Sequence, residues 1–346
     1  MSNQGDSNHI YFNVRIDPDP LKKRAGVFSV NRVQPIVNKC DDYEMAVVRF
    51  SLPLTSVPLI VFEDNYFSVS LTLNIGGVVS EYTEFLQWVP NSNLNLENRY
   101  IYIVQDLLDL INNAFALAFS NLSSAHIITA TKPPFMSFSS ESNLITLNVP
   151  QAFLADGIDV YANEKLYLKM NSFQDYYYEF PSEGQLNYRF VIQDLFDNNV
   201  NYDGVDYYTF TQQYATIGTL SDLQSIIFNT TQIPVNRELD GAQKNISSNF
   251  LTDFEPLQSN KWYGGGLIQF FPQGPLRYQD LLSKGELKDI DIQIKWKSKK
   301  GEIYPYLLQG DQSATIKILF RKKENVTLID FIDDRIDERL EELNIQ

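Results

Sequence analysis

Apolar and polar side chains alternate along much of this chain, and this pattern predicts β-strands. In residues 290–296, isoleucines and a tryptophan are separated by Asp291, Gln293 and Lys295. Because successive side chains of a strand point to opposite faces, such a strand buries one face and exposes the other. Similar short runs with turn residues between them continue through residues 165–320, which is typical of a β-sandwich. The clearest are residues 188–192, 225–228, 267–271, 290–296 and 315–320.

Several lysines lie at the end of this strand and directly after it. Lys295, Lys297, Lys299 and Lys300 form a local basic cluster within residues 290–308. We expect them to lie on the outer face of the strand and in the turn after it, where lysines discourage unwanted strand pairing.

The first half of the chain adds further strands and one hairpin. Residues 43–62 have the composition of a buried strand that two prolines end or bend. Gly76-Gly77 separates two alternating runs, which favours a tight hairpin turn. Two more strands are predicted at residues 126–131 and 144–149.

One long stretch, residues 102–122, changes to a helical period. Its apolar residues recur every three or four positions, so that they fall on one stripe of a helix. We predict a long amphipathic helix with the stripe Val104, Leu107, Leu108, Ile111, Phe115, Ala118, Phe119 and Leu122.

The two ends differ from the body. Residues 1–33 are polar, contain one strand-like run at residues 10–16 and include the basic triplet Lys22, Lys23 and Arg24. We predict an N-terminal arm, a body over residues 34–323 and a separate C-terminal segment.

The C-terminal segment, residues 324–346, is acidic and has a helical pattern, with Thr327 as N-cap and Asp330 three residues later. Its apolar residues form a narrow seam of the kind found in coiled coils. The seam fits a partner helix, in a coiled coil or in another subunit's groove, and fits equally a helix docked on its own body or a frayed end. The seam residues are Ile329, Ile332, Ile336, Leu340 and Leu343.

Composition and charge narrow the classes of function. The chain has 346 residues, a net charge of −15 and one cysteine. An acidic protein repels phosphate backbones, so we expect limited nucleic-acid contact or none, confined to short basic clusters such as Lys22, Lys23 and Arg24. The N-terminus lacks a signal-peptide core and no apolar run is long enough to span a membrane, so we expect a protein kept inside the cell.

Catalytic chemistry has few candidates. The histidines are His9 and His126, too few for a plausible nucleophile–histidine pair, and Cys40 lies beside acids that disfavour a thiolate. Standard zinc and nucleotide-binding motifs are absent from the sequence. Residues 199–210 match the first half of a calcium loop, but Phe210 stands where a bidentate glutamate is required, so a solvated turn is favoured. We therefore predict no catalytic, cofactor or metal residues.

The resemblance to a known family is carried by an ordered series of phrases. These are YEMAVVRFSLPLTSVPLIVF, the helix followed by PPFMSF, QSIIFNTTQIPVNRE, FLTDFEPL, FFPQGPLRYQDLLS and IDIQIKWKSKKGEIYPYLLQGDQSATIKILFRKK. Over about residues 30–323 the series resembles the minor capsid, or penton, proteins of virophages and Polinton-like DNA viruses.

The resemblance implies a mainly β protein, an antiparallel jelly-roll β-sandwich with an inserted α/β segment, at the five-fold vertices of an icosahedral shell. We place the insertion at residues 86–175, where the helix interrupts the strand rhythm. The implied function is a structural virion protein, most simply a homo-pentamer that contacts other capsid proteins.

Two other functions remain open at this stage. One is a carbohydrate- or receptor-binding β-sandwich, for which Trp88, Trp262, Trp296 and the tyrosines at 176–178 and 207–208 supply aromatic surfaces. The other is a β-sandwich hydrolase with carboxylates far apart in sequence, which would leave no local motif.

Overall fold

The structure is a computed structural model that describes residues 8–19, 25–53, 56–88, 99–173, 175–179, 186–192, 199–235, 238–239, 247–254, 267–270, 275–308 and 312–323. The predicted C-terminal helix and the triplet Lys22, Lys23 and Arg24 lie outside the described residues.

The described elements are mostly strands. The strands are β1 (His9–Ile16), β2 (Pro18–Asp19), β3 (Ala25–Asn31), β4 (Tyr43–Pro53), β5 (Ile60–Val61), β6 (Ser68–Ile75), β7 (Val78–Phe85), β8 (Tyr100–Ile101), β9 (Phe135–Ser139), β10 (Leu144–Pro150), β11 (Ile158–Asn163), β12 (Asp175–Glu179), β13 (Leu186–Phe190), β14 (Asn199–Tyr202), β15 (Val205–Thr211), β16 (Leu223–Thr230), β17 (Glu238–Leu239), β18 (Ser247–Phe254), β19 (Leu267–Phe270), β20 (Gln279–Asp280), β21 (Asp289–Ser298), β22 (Ile303–Pro305) and β23 (Ala314–Lys322). The helices are α1 (Val104–Ala125), α2 (Ala152–Asp156), α3 (Glu164–Lys169) and α4 (Ile217–Leu220).

Eight of these strands form a jelly roll. One sheet has the order β1-β23-β4-β19, and the other contains β18-β16-β21-β3. Along the chain the first strand of the eight pairs with the last, the second with the seventh, the third with the sixth and the fourth with the fifth, all antiparallel. This is the pattern of one long double-stranded ribbon wound into two facing sheets. The prediction of a mainly β, antiparallel protein is confirmed.

The core of the sandwich comes from the alternation read in the sequence. In β21, Ile290, Ile292, Ile294 and Trp296 are all at most 1% exposed, and they pack with Ile316, Ile318 and Phe320 of the facing sheet. Gly26 of β3 lies so close to Ile294 that a Cβ atom there would stand 3.2 Å from the isoleucine Cδ1. A side chain at this position would therefore need Ile294 to shift by a few tenths of an ångström.

The insertion is longer than predicted. It occupies the connection between Pro53, at the end of β4, and Leu223, at the start of β16. Its own core of buried residues runs from Leu59 to Leu220, separate from the sandwich core. The predicted limits, residues 86 and 175, were placed from the helix alone. In the structure, strands before residue 86 and after residue 175 share this second core.

Helix α1 is the centre of the insertion. It packs against β6 and β7 of the sheet β12-β13-β11-β6-β7 and against β9 of the sheet β14-β15-β10-β9. Every residue of the predicted apolar stripe is buried, and Leu110 and Ala114 are buried too. The buried stripe is wider than one seam because the helix is covered by two sheets.

Two predicted segments differ in the structure. The proposed arm contains β1, which pairs with β23, and β3, which pairs with β21, so residues 9–16 and 25–31 are built into the two sheets. Val14 and Ile16 are buried because they complete the sandwich core.

The second difference is at residues 126–131, which were predicted as a strand and form a loop. The main-chain N–H groups of Thr129 and Ala130 donate to the carboxylate of Asp156 at 2.9 Å. The Asp156 side chain thus accepts hydrogen bonds from N–H groups that, in a strand, would bond to a neighbouring strand.

Candidate assembly surfaces

The junction between sandwich and insertion uses the lysines that follow β21. The Lys300 ammonium lies 2.9 Å from the Glu63 carboxylate and above the ring of Tyr66. The main-chain N–H of Lys299 donates to the carbonyl oxygen of Asp222, whose own N–H donates to Leu59. These two lysines are exposed and lie in the turn after β21, as expected, and the same turn lies where the insertion joins the sandwich.

An ion pair of low exposure strengthens the same junction. Lys169 of α3 donates to the Asp222 carboxylate at 2.5 Å, with both side chains about one-fifth exposed. Burial lowers the pKa of Lys295 on β21. The Lys169–Asp222 pair holds α3 beside the segment that leads into β16.

The aromatic residues do not form an open sugar platform in the described part of the chain. Trp296 is 1% exposed and stacks on Tyr304 at a centroid distance of 4.8 Å. Trp88 packs against Phe62, and Tyr207 is buried. Trp262 and the side chains at 176–178 lie outside the described residues.

Carboxylates at two acidic positions of the sequence, residues 41–42 and 63–64, form ion pairs. Glu63 contacts Lys300, and Asp64 contacts Arg99. Asp42 accepts from Lys39 at 2.8 Å. These carboxylates therefore serve ion pairs, and they do not converge on a shared cleft.

The remaining candidates for chemistry are also structural. Burial raises the pKa of the Cys40 thiol, and the nearby Asp41 carboxylate raises it further. His126 ends α1 and contacts the edge of the Tyr82 ring, whereas His9 lies on β1 in the sandwich. Within the described residues no three metal-ligating side chains come together.

Residues 199–210 form the β14–β15 hairpin, in which the turn that was favoured over a calcium loop connects the two strands. Asp203 and Gly204 have φ values of 49° and 78° and connect β14 to β15. The Asn201 side chain accepts from the Gly204 N–H and donates to Asp206. The polar side chains hold the turn together, which accounts for their spacing.

Basic residues at the end of β23, Arg321 and Lys323, form ion pairs with nearby acids. Arg321 forms an ion pair with Glu44 and lies over the ring of Tyr278. Lys323 lies 2.9 Å from Asp280. Because of these contacts, the two cations do not form a row that could bind phosphate groups.

An exposed apolar surface lies around the β6–β7 hairpin of the insertion. We name it the apolar tip, and it consists of the large apolar side chains Ile75, Val78, Val79, Ile127 and Leu154. Ile127 is fully exposed and Val78 is 69% exposed. Adjacent exposed apolar residues of this kind mark contacts with other proteins.

Three segments bring the apolar tip together. The Asn74 N–H donates to the Gly157 carbonyl oxygen, which joins the β6–β7 hairpin to the end of α2. Asp156 then holds the loop that carries Ile127 through its bonds to Thr129. This surface was not predicted from the sequence, although the apolar residues on both sides of Gly76-Gly77, where polar ones are usual, are a visible signal.

Comparison with known proteins identifies the family. The model of the Sputnik minor capsid protein V18/19 family matches residues 10–322, which is most of the chain. The chain belongs to this family. Its relative "Uncharacterized protein V18" of the Sputnik virophage is 24% identical over 140 residues, covering 33% of this chain and 84% of that protein.

Two solved structures share the fold of this minor capsid protein. A chain in the 3.5 Å cryo-EM structure of the Sputnik virophage superposes with a TM-score of 0.72 at 22% identity, covering 92% of this chain and 99% of that one. The crystal structure of the mavirus penton protein gives a TM-score of 0.66 at 19% identity, covering 91% and 99%.

The protein is a minor capsid protein, a structural component of the virion. In such a protein the functional surfaces are those that contact neighbouring subunits. The ion-paired acids and buried aromatic side chains described above agree with this structural role. No helix in the described ranges is long and apolar enough to cross a bilayer.

Proposed function

We propose that this capsid protein forms homo-pentamers that occupy the five-fold vertices of an icosahedral virion. The observation that supports this is the agreement of both units, sandwich and insertion, with the mavirus penton protein across 99% of that chain. Subunits of a ring meet through heterologous contacts, so each copy must offer two different surfaces to its neighbours.

The apolar tip is our candidate for one of these surfaces. It lies on the insertion, at the end that carries the β6–β7 hairpin, and it is exposed in the single chain. Burial of apolar side chains is the main favourable contribution to association, so a neighbouring subunit or another capsid protein that covers this tip would stabilise the shell.

We also propose that the protein is not an enzyme and that any genome contact is limited. The acids of the sandwich and junction are held in ion pairs such as Lys169–Asp222 and Arg321–Glu44. The overall charge of −15 opposes contact with nucleic acid.

Electron microscopy and mass measurement of the purified protein test the proposal. We expect rings of five copies, with a mass five times that of the 39.8 kDa chain. A protein that stays monomeric at high concentration, or that forms trimers which bind glycans, would exclude the vertex role and favour a receptor-binding module.

A further inference from the structure

The outer face of the sheet β1-β23-β4-β19 is basic. Even-numbered residues of β23, such as Ile316 and Ile318, point into the core, so Lys317 and Arg321 point outward. Arg49 of β4 is exposed on the same face. We name this surface the basic face. Its cations are Arg49 and Lys317, together with Arg15 and Arg321, which are ion-paired with Asp17 and Glu44.

Two of these cations lie directly opposite each other. Lys317 is the register partner of Arg49, so their side chains stand next to one another on adjacent strands. Like charges in this position destabilise a sheet. In a chain with a net charge of −15 this juxtaposition is unusual, and an anionic partner lying over the face would make it favourable.

An aromatic side chain completes the basic face. Tyr11 of β1 is 54% exposed, and the Lys317 ammonium lies 4.4 Å from its ring centre. Tyr11 is paired in register with Leu319, between Lys317 and Arg321. The face thus offers both cations and an exposed ring to an amphipathic partner.

The chain itself supplies a partner of matching charge. The last described residue, Lys323, is held at the end of β23 by a hydrogen bond from its N–H to the Asp42 carbonyl oxygen and by the ion pair to Asp280. Residues 324–346 follow directly and contain eight acidic residues and two arginines. An acidic segment therefore leaves the sandwich at the edge of its basic face.

The length and pattern of this segment also fit. As a helix, residues 327–343 would extend about 25 Å, and the nine-residue strand β23 extends about 30 Å. On a helix the seam that contains Ile332 and Ile336 has Asp333 and Asp337 on one flank. Residues 324–326 remain to reverse the chain direction.

We propose that residues 327–343 dock as a helix on the basic face of their own chain. The apolar seam lies against Tyr11 and the stems of the basic side chains, and the carboxylates on its flank lie over Lys317 and Arg49. This inference does not depend on the vertex role, because the contact is within one chain.

Hydrogen–deuterium exchange on the full-length protein tests the docking. We expect the amides of residues 327–343 to exchange slowly, and the double variant Arg49→Glu/Lys317→Glu to speed their exchange about tenfold by turning attraction into repulsion. Adding Asp333→Lys and Asp337→Lys to that variant should restore the protection. Thermal unfolding of each variant checks that the sandwich is intact.

A matched control has the same change of charge elsewhere. Lys132→Glu/Lys165→Glu alters two exposed lysines of the insertion, outside the sheet that carries the basic face, and should leave the exchange of residues 327–343 unchanged. Fast exchange in the unmodified protein, or protection that is insensitive to Arg49→Glu/Lys317→Glu, would overturn the proposal. Protection that weakens on dilution would also overturn it, because docking within one chain is independent of concentration.

Discussion

The carboxylate of Asp291 offers a sharp test of how the sandwich is held together. It lies on β21 among the buried isoleucines and is only 5% exposed, although the strand pattern places it on the outer side. Its Oδ1 accepts hydrogen bonds from the Thr230 hydroxyl and from the Thr231 and Gln232 N–H groups, each at 2.7 Å. Its Oδ2 accepts from the Thr231 hydroxyl at 2.8 Å. The carboxylate therefore fixes the turn that follows β16.

Replacing Asp291 by Ala should lower the free energy of unfolding by about 2–4 kcal/mol at neutral pH. Thr231 and Gln232 are exposed, so water can satisfy their donors, and most of the loss comes from the buried hydroxyl of Thr230 and the missing charged acceptor. Urea unfolding followed by fluorescence measures the difference. Thr231→Ala serves as a milder control, because it removes one of the four hydrogen bonds.

The pH dependence of this loss has a definite sign. Burial acts to raise the pKa of Asp291, but the hydrogen bonds from Thr230, Thr231 and Gln232 outweigh it, so the pKa is lowered from 3.8. A lowered pKa contributes stability above the unfolded value and loses it as the pH falls through the folded value. The difference between the native protein and Asp291→Ala should therefore shrink below about pH 4. A loss under about 0.5 kcal/mol at pH 7, or a difference that does not change with pH, would refute the reasoning.

Three further predictions follow from burial and exposure. Ile294→Asp should abolish soluble folding because the side chain is 1% exposed in the core, whereas Lys297→Glu should remain soluble and folded; a folded Ile294→Asp protein would contradict the packing. Tyr306→Phe removes a buried hydroxyl that donates at 2.6 Å to a main-chain carbonyl of β4 and should cost about 1–2 kcal/mol in urea unfolding, with an unchanged midpoint as the contrary result. Val78→Asp/Val79→Asp should leave thermal unfolding unchanged but reduce the fraction assembled in sedimentation, and full assembly would remove the apolar tip from the interface.

Local patterns predicted the elements well where one face is buried and the other is not. The alternation in β21 and β23 and the stripe of α1 were each visible in the sequence, and each is buried as expected. Gly76-Gly77 gave the β6–β7 hairpin, with both residues at positive φ. These features depend on near neighbours, so sequence alone was sufficient.

Contacts between distant segments were beyond the local pattern. Residues 9–16 and 25–31 looked like part of an arm because the strand-like run there is short, yet they complete both sheets through pairing with β23 and β21. The junction contacts of the turn at Lys299 and Lys300 were not predicted, because Glu63 and Asp222 are far away in the sequence.

The sequence by itself determined that the chain is mainly β, that it has one long helix and that its standard catalytic motifs are missing. The tertiary structure decided that the insertion begins directly after β4, that Asp291 is buried, and that three separate segments form the apolar tip. The physical reason is range: periodicity records which side of an element is buried, whereas pairing and burial of single polar groups depend on residues brought together only by the complete fold.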